Sequence, residues 1–288
     1  MPRAEEYPIA CGQLTLAAKC WGDPALPPLL ALHGWLDNAG SFDLLAPLLS
    51  TDWHVVAIDL RGHGRSPHIA EGAWYHYTDH FDEIRAIADH FGWERVDLLG
   101  HSLGGSLASL FAALYPERVG HLLLIEALRP LAGGADESLS QLRRSIDQRA
   151  TFGARKSLRV HPDLDSAISV RMRAGNLSER AARALVERGT LEVDGGVIWS
   201  SDARLMLASA QRYTEAQILS MLAGIQSPTL VVLADPPTSY LPREMIDQRA
   251  AQVANINVVD LPGYHHLHMD NAPAVAAAIR TFRDAHTT

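Results

Sequence analysis

The pentapeptide Gly100-His101-Ser102-Leu103-Gly104 constrains this chain more than any other stretch, because of what flanks it. Residues 96–99 before it are mostly apolar and strand-like, and residues 102–115 after it read as a helix rich in Ala and Leu, closed by Pro116. In that setting G-x-S-x-G makes a sharp turn from strand to helix. The turn forces strained dihedrals on the serine, and glycines two residues to either side leave room for it. It also holds the hydroxyl clear of the sheet, while the helix N-terminus favours negative charge developing there. The bare pentapeptide is also compatible with a Gly-rich turn of no chemical consequence. The flanking strand and helix are what mark Ser102 as a nucleophile.

The same rhythm runs through most of the chain. Residues 13–21, 28–32, 54–58, 119–125, 229–233 and 256–259 read as strands, most of them almost wholly apolar. Helical spacing appears at 41–49, 78–91, 243–253 and 272–282. Strands of that kind alternating with helices predict an α/β fold with a mostly parallel sheet covered on both faces. Between about 129 and 215 strand runs nearly vanish and helical patterns dominate, as in residues 179–188. Charge shifts with them: residues 128–215 carry 14 Lys and Arg against 11 Asp and Glu, the remainder 11 against 22. At 288 residues the chain is short for two full domains. It reads as one core domain, residues 1–128 and 214–288, interrupted by a helical insertion at 129–213.

A net charge of −8 gives no electrostatic reason to expect a nucleic-acid partner. Cys11 and Cys20 form no CxxC or Cys/His ligand spacing. Glu5 and Glu6 stand where a signal peptide would need apolar residues, and no apolar run approaches the ~20 residues of a membrane helix. These features lead us to expect a cytoplasmic protein with no membrane association; oligomeric state is not legible.

A serine hydroxyl is a poor nucleophile until a base takes its proton. That base should be a histidine far along the chain, after a late strand. Residues 261–270 (LPGYHHLHMD) offer His265, His266 and His268. Three histidines in four positions also suggest a metal site, but the stretch lacks the i, i+4 pair with accompanying Glu of a zincin, so we expect no metal.

Four stretches now coincide: Leu32-His33-Gly34-Trp35-Leu36-Asp37-Asn38, Asp59-Leu60-Arg61-Gly62-His63-Gly64-Arg65-Ser66, Gly100-His101-Ser102-Leu103-Gly104-Gly105, and 262–270. In this order, across about 240 residues, the chain resembles the α/β-hydrolase family, and within it the serine-hydrolase-like group with a helical cap. The resemblance implies a mostly parallel eight-stranded sheet, no cofactor, and a catalytic histidine five residues before an acidic residue. Asp270 matches that acid and points to His265. The residue before the histidine is usually Gly and here is Tyr264, so His266 stays open as an alternative, with His268 packing or hydrogen-bonding nearby. The resemblance also implies an oxyanion hole from the backbone amides of Trp35 and Leu103, with the Trp35 indole as an alternative wall of the acyl pocket. Residues 59–66 read as structural, with Asp59 and Arg61 in local hydrogen bonds.

The triad carboxylate is where the sequence departs from that pattern. The family's usual acid position, after the strand following the cap, is Pro237, and Asp235 stands two residues early. A second position known in the family follows the strand after the nucleophile helix, and there Glu126 ends the apolar run 122–125. A carboxylate ending a buried strand needs a partner or a wet site. We favour Glu126 and keep Asp235 as the alternative; a solvated strand end beside the cap is the bland reading of Glu126.

A serine nucleophile is unlike the Asp of epoxide-hydrolase and haloalkane-dehalogenase branches and favours acyl chemistry. The first expectation is a carboxylic-ester hydrolase taking a small-molecule acyl substrate of modest size and apolar character. The second is a thioesterase or acyltransferase acting on a carrier-linked acyl group. A third, of another class, is a non-catalytic ligand-binding protein on the same fold. Substrate-binding residues are not legible.

Overall fold

The computed structural model describes residues 4–152, 159–239 and 241–286. Its strands are β1 (Glu5–Cys11), β2 (Leu14–Trp21), β3 (Pro28–Leu32), β4 (His54–Ile58), β5 (Val96–His101), β6 (Val119–Ile125), β7 (Thr190–Val193), β8 (Gly196–Trp199), β9 (Thr229–Asp235) and β10 (Ile256–Pro262). Eight of these form one sheet in the order β1-β2-β4-β3-β5-β6-β9-β10. β1 and β2 run antiparallel at one edge, and the pairs from β4 to β10 are parallel. β1 was not expected from the sequence; of its seven residues only Ile9 and Cys11 are buried, too few for a recognisable alternation.

The helices are α1 (Ala46–Leu49), α2 (Asp79–His90), α3 (Leu103–Leu114), α4 (Ser138–Ala150), α5 (Leu164–Gly175), α6 (Glu179–Gly189), α7 (Glu215–Leu222), α8 (Arg243–Ala250), α9 (Leu267–Asp270) and α10 (Ala272–His286). The helix expected over 41–49 is instead a 3-10 turn, Ala39–Phe42, followed by the short α1. Successive strand side chains point to opposite faces, so a strand buried on both must be apolar throughout. Leu30, Leu32, Val56, Ile58, Leu122 and Leu124 pack on one face with Ile84 and Ile87 of α2 and Leu107 and Phe111 of α3. Leu29, Val55, Leu99, Leu123 and Ile125 pack on the other with Leu49 of α1 and Val275, Ile279 and Phe282 of α10.

Between β6 and β9 the chain leaves the sheet. α4, α5 and α6 lie in this span with a hairpin of β7 and β8, which forms its own two-stranded sheet. The hairpin is an addition to the mainly helical segment that was expected: its strands have four residues each, and only Val197 is buried. A separate apolar cluster, including Ile168, Ala181, Leu185, Val186 and Val197, holds the segment together. Arg188, at the end of α6, ties it to the core by reaching Asp59 at 2.9 Å and Glu6 at 2.7 Å. Asp59 also accepts from the amides of Ala39 and Arg65, so its bonds are local only in part. Arg61 likewise pairs with Glu83 of α2. Among the described residues no helix is long and apolar enough to cross a membrane.

Candidate active site

Ser102 stands between β5 and α3 with φ 50° and ψ −109°, a left-handed conformation that a side chain rarely adopts. The structure around it explains the strain. The Ser102 amide donates to the Ile125 carbonyl at the end of β6, and the Gly104 amide donates to the His33 carbonyl just past β3. A Cβ on Gly104 would overlap the Leu32 carbonyl oxygen, so the turn closes against β3 only with glycine there. α3 starts at the next residue, and as its first residue Leu103 has an amide with no intrahelical acceptor.

The Trp35 amide, on the loop after β3, donates to no group among the described residues. The Trp35 side chain is 52% exposed, and its indole Nε1 donates to the Leu205 carbonyl at 3.1 Å.

His265 lies on the loop between β10 and α9. Its Nδ1 is 3.2 Å from Glu126 Oε2. Glu126 directly follows β6, has φ 50° and is 1% exposed. Its other oxygen accepts from the Ala234 amide at 2.6 Å, and Oε2 also accepts from the Thr238 hydroxyl at 3.1 Å. Burial opposes ionisation of this carboxyl, but the bonds from His265 and Ala234 prevail and hold it below the usual carboxylate range. Burial pushes the His265 imidazole down to about 4, against the opposing pull of Glu126. The ring is therefore neutral near pH 7, with Nδ1 donating to the carboxylate.

The other two histidines have different company. His266 Nε2 meets Asp37 Oδ2 at 3.2 Å, and His268 Nε2 meets the Ser41 hydroxyl at 2.8 Å. Asp270 pairs with Ser178 of the inserted segment. Asp235 ends β9 with an exposed side chain that bonds no described group, while its carbonyl accepts from the Gly263 amide. Thus the structure brings Glu126 and His265 together and leaves Asp235 apart from them. Sequence reasoning gave no role to Thr238, Asp37, His101 or Arg171. Arg171 of α5 pairs with Asp37, a contact across 134 positions with no local signal in the sequence.

A family model described as the alpha/beta hydrolase fold matches residues 27–272. A serine hydrolase-like protein of Danio rerio is 31% identical, over 96% of this chain and 86% of the relative. Among solved structures, a hypothetical protein of Pseudomonas aeruginosa superposes with a TM-score of 0.92 at 38% identity, covering 97% of this chain and 99% of that one. A thioesterase domain from the curacin biosynthetic pathway superposes with a TM-score of 0.84 at 30% identity, covering 96% and 99%.

Proposed function

This chain belongs to the α/β-hydrolase fold family, in its serine-hydrolase-like group, and from that premise we propose that it hydrolyses carboxylic esters through an acyl-enzyme on Ser102. Two observations support the proposal: the bond between buried Glu126 and His265 Nδ1, and the strained backbone of Ser102 at a strand-to-helix turn. With Nδ1 committed to Glu126, Nε2 is the ring atom that accepts the Ser102 proton as Oγ attacks the substrate carbonyl carbon. The Trp35 and Leu103 amides hold the oxyanion that forms. Glu126 stabilises the imidazolium, which then gives its proton to the departing alkoxide. Water, deprotonated by His265 in the second half-reaction, releases the acid and restores Ser102. No step needs a cofactor.

A thioester would follow the same steps with a thiolate leaving, and the likeness to the curacin thioesterase domain keeps that reading in view. Two measurements test the proposal together: hydrolysis of p-nitrophenyl esters of graded chain length, and labelling by a fluorophosphonate. Both should be lost in Ser102→Ala, with hydrolysis falling by about 10⁴–10⁶ and the melting temperature nearly unchanged. Labelling that persists in Ser102→Ala ends the assignment of the nucleophile. A wild-type protein that neither labels nor hydrolyses any ester or thioester favours a ligand-binding role.

A further inference from the structure

Three buried side chains that no step above uses meet beside the main chain of His265. Asp37 Oδ2 lies 3.2 Å from His266 Nε2 and 3.6 Å from His101 Nδ1. All three atoms fall within 4.8 Å of one another. The tautomer of His101 follows from its other nitrogen, which faces the His265 carbonyl at 2.9 Å; a carbonyl only accepts, so Nε2 carries the proton. Nδ1 faces the Asp37 carboxylate in a fully buried place at 3.6 Å, beyond hydrogen-bond distance. An imidazole nitrogen and a carboxylate oxygen held this close, away from water, are a donor set that a cation between them can use.

We propose that Asp37 Oδ2, His101 Nδ1 and His266 Nε2 form a site for a divalent transition-metal ion of the zinc class, and that filling it inhibits the hydrolase. A tetrahedral ion with ligands at roughly 2.0–2.1 Å separates them by about 3.3 Å, which the 3.2 and 3.6 Å spacings straddle. Two imidazoles and one carboxylate favour zinc, copper or nickel over magnesium or calcium. Outer partners are in place for two of the three ligands: the His265 carbonyl orients His101, and Arg171 holds Oδ1 of Asp37, leaving Oδ2 for the ion; His266 Nδ1 has none among the described residues. Gly34 keeps the gap open, since a Cβ there would lie 2.8 Å from Asp37 Oδ2 and 2.9 Å from His101 Nδ1. Arg171 also limits affinity, because its guanidinium lies 3.4 Å from His266 Nε2 and must draw back from it. The His266 proton moves to Nδ1 when the ion binds. Inhibition follows from position: the His265 ring is 4.7 Å from that of His101, so a dication there opposes the imidazolium that catalysis requires. That last step rests on His265 being the base; ion binding does not.

Titration of the full chain with Co²⁺, read by its visible absorption, separates the two. Wild type should bind one ion with the intense bands of a tetrahedral site and release it to Zn²⁺. Asp37→Asn and His266→Gln should each weaken binding by at least about tenfold, with folding of each variant checked by its melting curve. His265→Gln should bind as wild type does. Zn²⁺ should slow ester hydrolysis by wild type, reversibly with EDTA, and leave the rate of His266→Gln unaffected. If no ester is hydrolysed, the function is wrong but the cobalt result still stands. The metal site is refuted if wild type gives no tetrahedral spectrum, if the spectrum survives in a folded Asp37→Asn or His266→Gln, or if it disappears in His265→Gln.

Discussion

β6 and β9 lie side by side in the sheet, and each finishes in a carboxylate, yet the two ends differ in every chemical respect. Glu126 after β6 is buried and bonded to an amide, a hydroxyl and an imidazole. Asp235 at the end of β9 is exposed, and only its main chain is engaged. The end of β9 nonetheless serves its neighbour, because the Ala234 amide and the Thr238 hydroxyl are two of the donors that keep Glu126 ionised. What prepares a carboxylate to orient a histidine is therefore a set of donors in a dry place. Such a set can be supplied across the sheet, from the strand that in the family's usual pattern would carry the acid.

The largest expected effect breaks this comparison at Glu126. Glu126→Gln keeps the shape but removes the charge that, in the proposed mechanism, stabilises the imidazolium and fixes its tautomer. A loss of about 10⁴ in kcat is expected, the size seen when a triad carboxylate is replaced by its amide. The pH profile sharpens the same point. In the proposed mechanism the neutral ring is the active form, so wild-type kcat/KM should rise with pH through about 4 and level off above it. Glu126 favours the charged ring, so its removal should move that limb to lower pH. A Glu126→Gln enzyme with near wild-type kcat would take the carboxylate role from this residue.

The parts of the site legible in the sequence are those whose physics is local. The turn at Ser102 is encoded within six residues, and Glu126 stood out because a charge ending Leu122-Leu123-Leu124-Ile125 demands a partner. The parallel strands were legible because burial on both faces leaves an unbroken apolar run. What went unread is set by contacts between distant segments. Arg188 meets Asp59 across 129 positions, and nothing near either residue announces the pairing. The hairpin of β7 and β8 did have a local signal, Asp194-Gly195 between two short runs, but only Val197 of those runs is buried and the apolar alternation is weak. Thr238, past the end of β9, bears on the site through the reach of its hydroxyl to Glu126, past the end of β6.

That reach gives the intermediate prediction. The Thr238 hydroxyl donates to Oε2 of Glu126, the same oxygen that faces His265. Thr238→Val keeps the branching and removes the donor, so Glu126 should stay in place with one restraint fewer. A hydrogen bond to a charged group contributes roughly 1.5–3 kcal/mol, of which part bears on the transition state. About a tenfold fall in kcat is expected, with KM unchanged. A fall as deep as that of Glu126→Gln would mean that Thr238, rather than the charge, controls the histidine.

The smallest expected effect is at Asp235. Its carboxylate is exposed and bonds no described group, and the interaction that fixes its loop, the Gly263 amide on the Asp235 carbonyl, belongs to the main chain. Asp235→Asn preserves that main-chain bond and removes a charge that water already screens. Substitutions of this kind change stability by within about 0.5 kcal/mol, and kcat/KM should stay within about twofold of wild type. Kinetics of Asp235→Asn and Glu126→Gln under the same conditions give the comparison its direct reading. A crippled Asp235→Asn beside a near-normal Glu126→Gln would reverse it, and would mean that the loop after β9 rearranges in solution to bring Asp235 to His265.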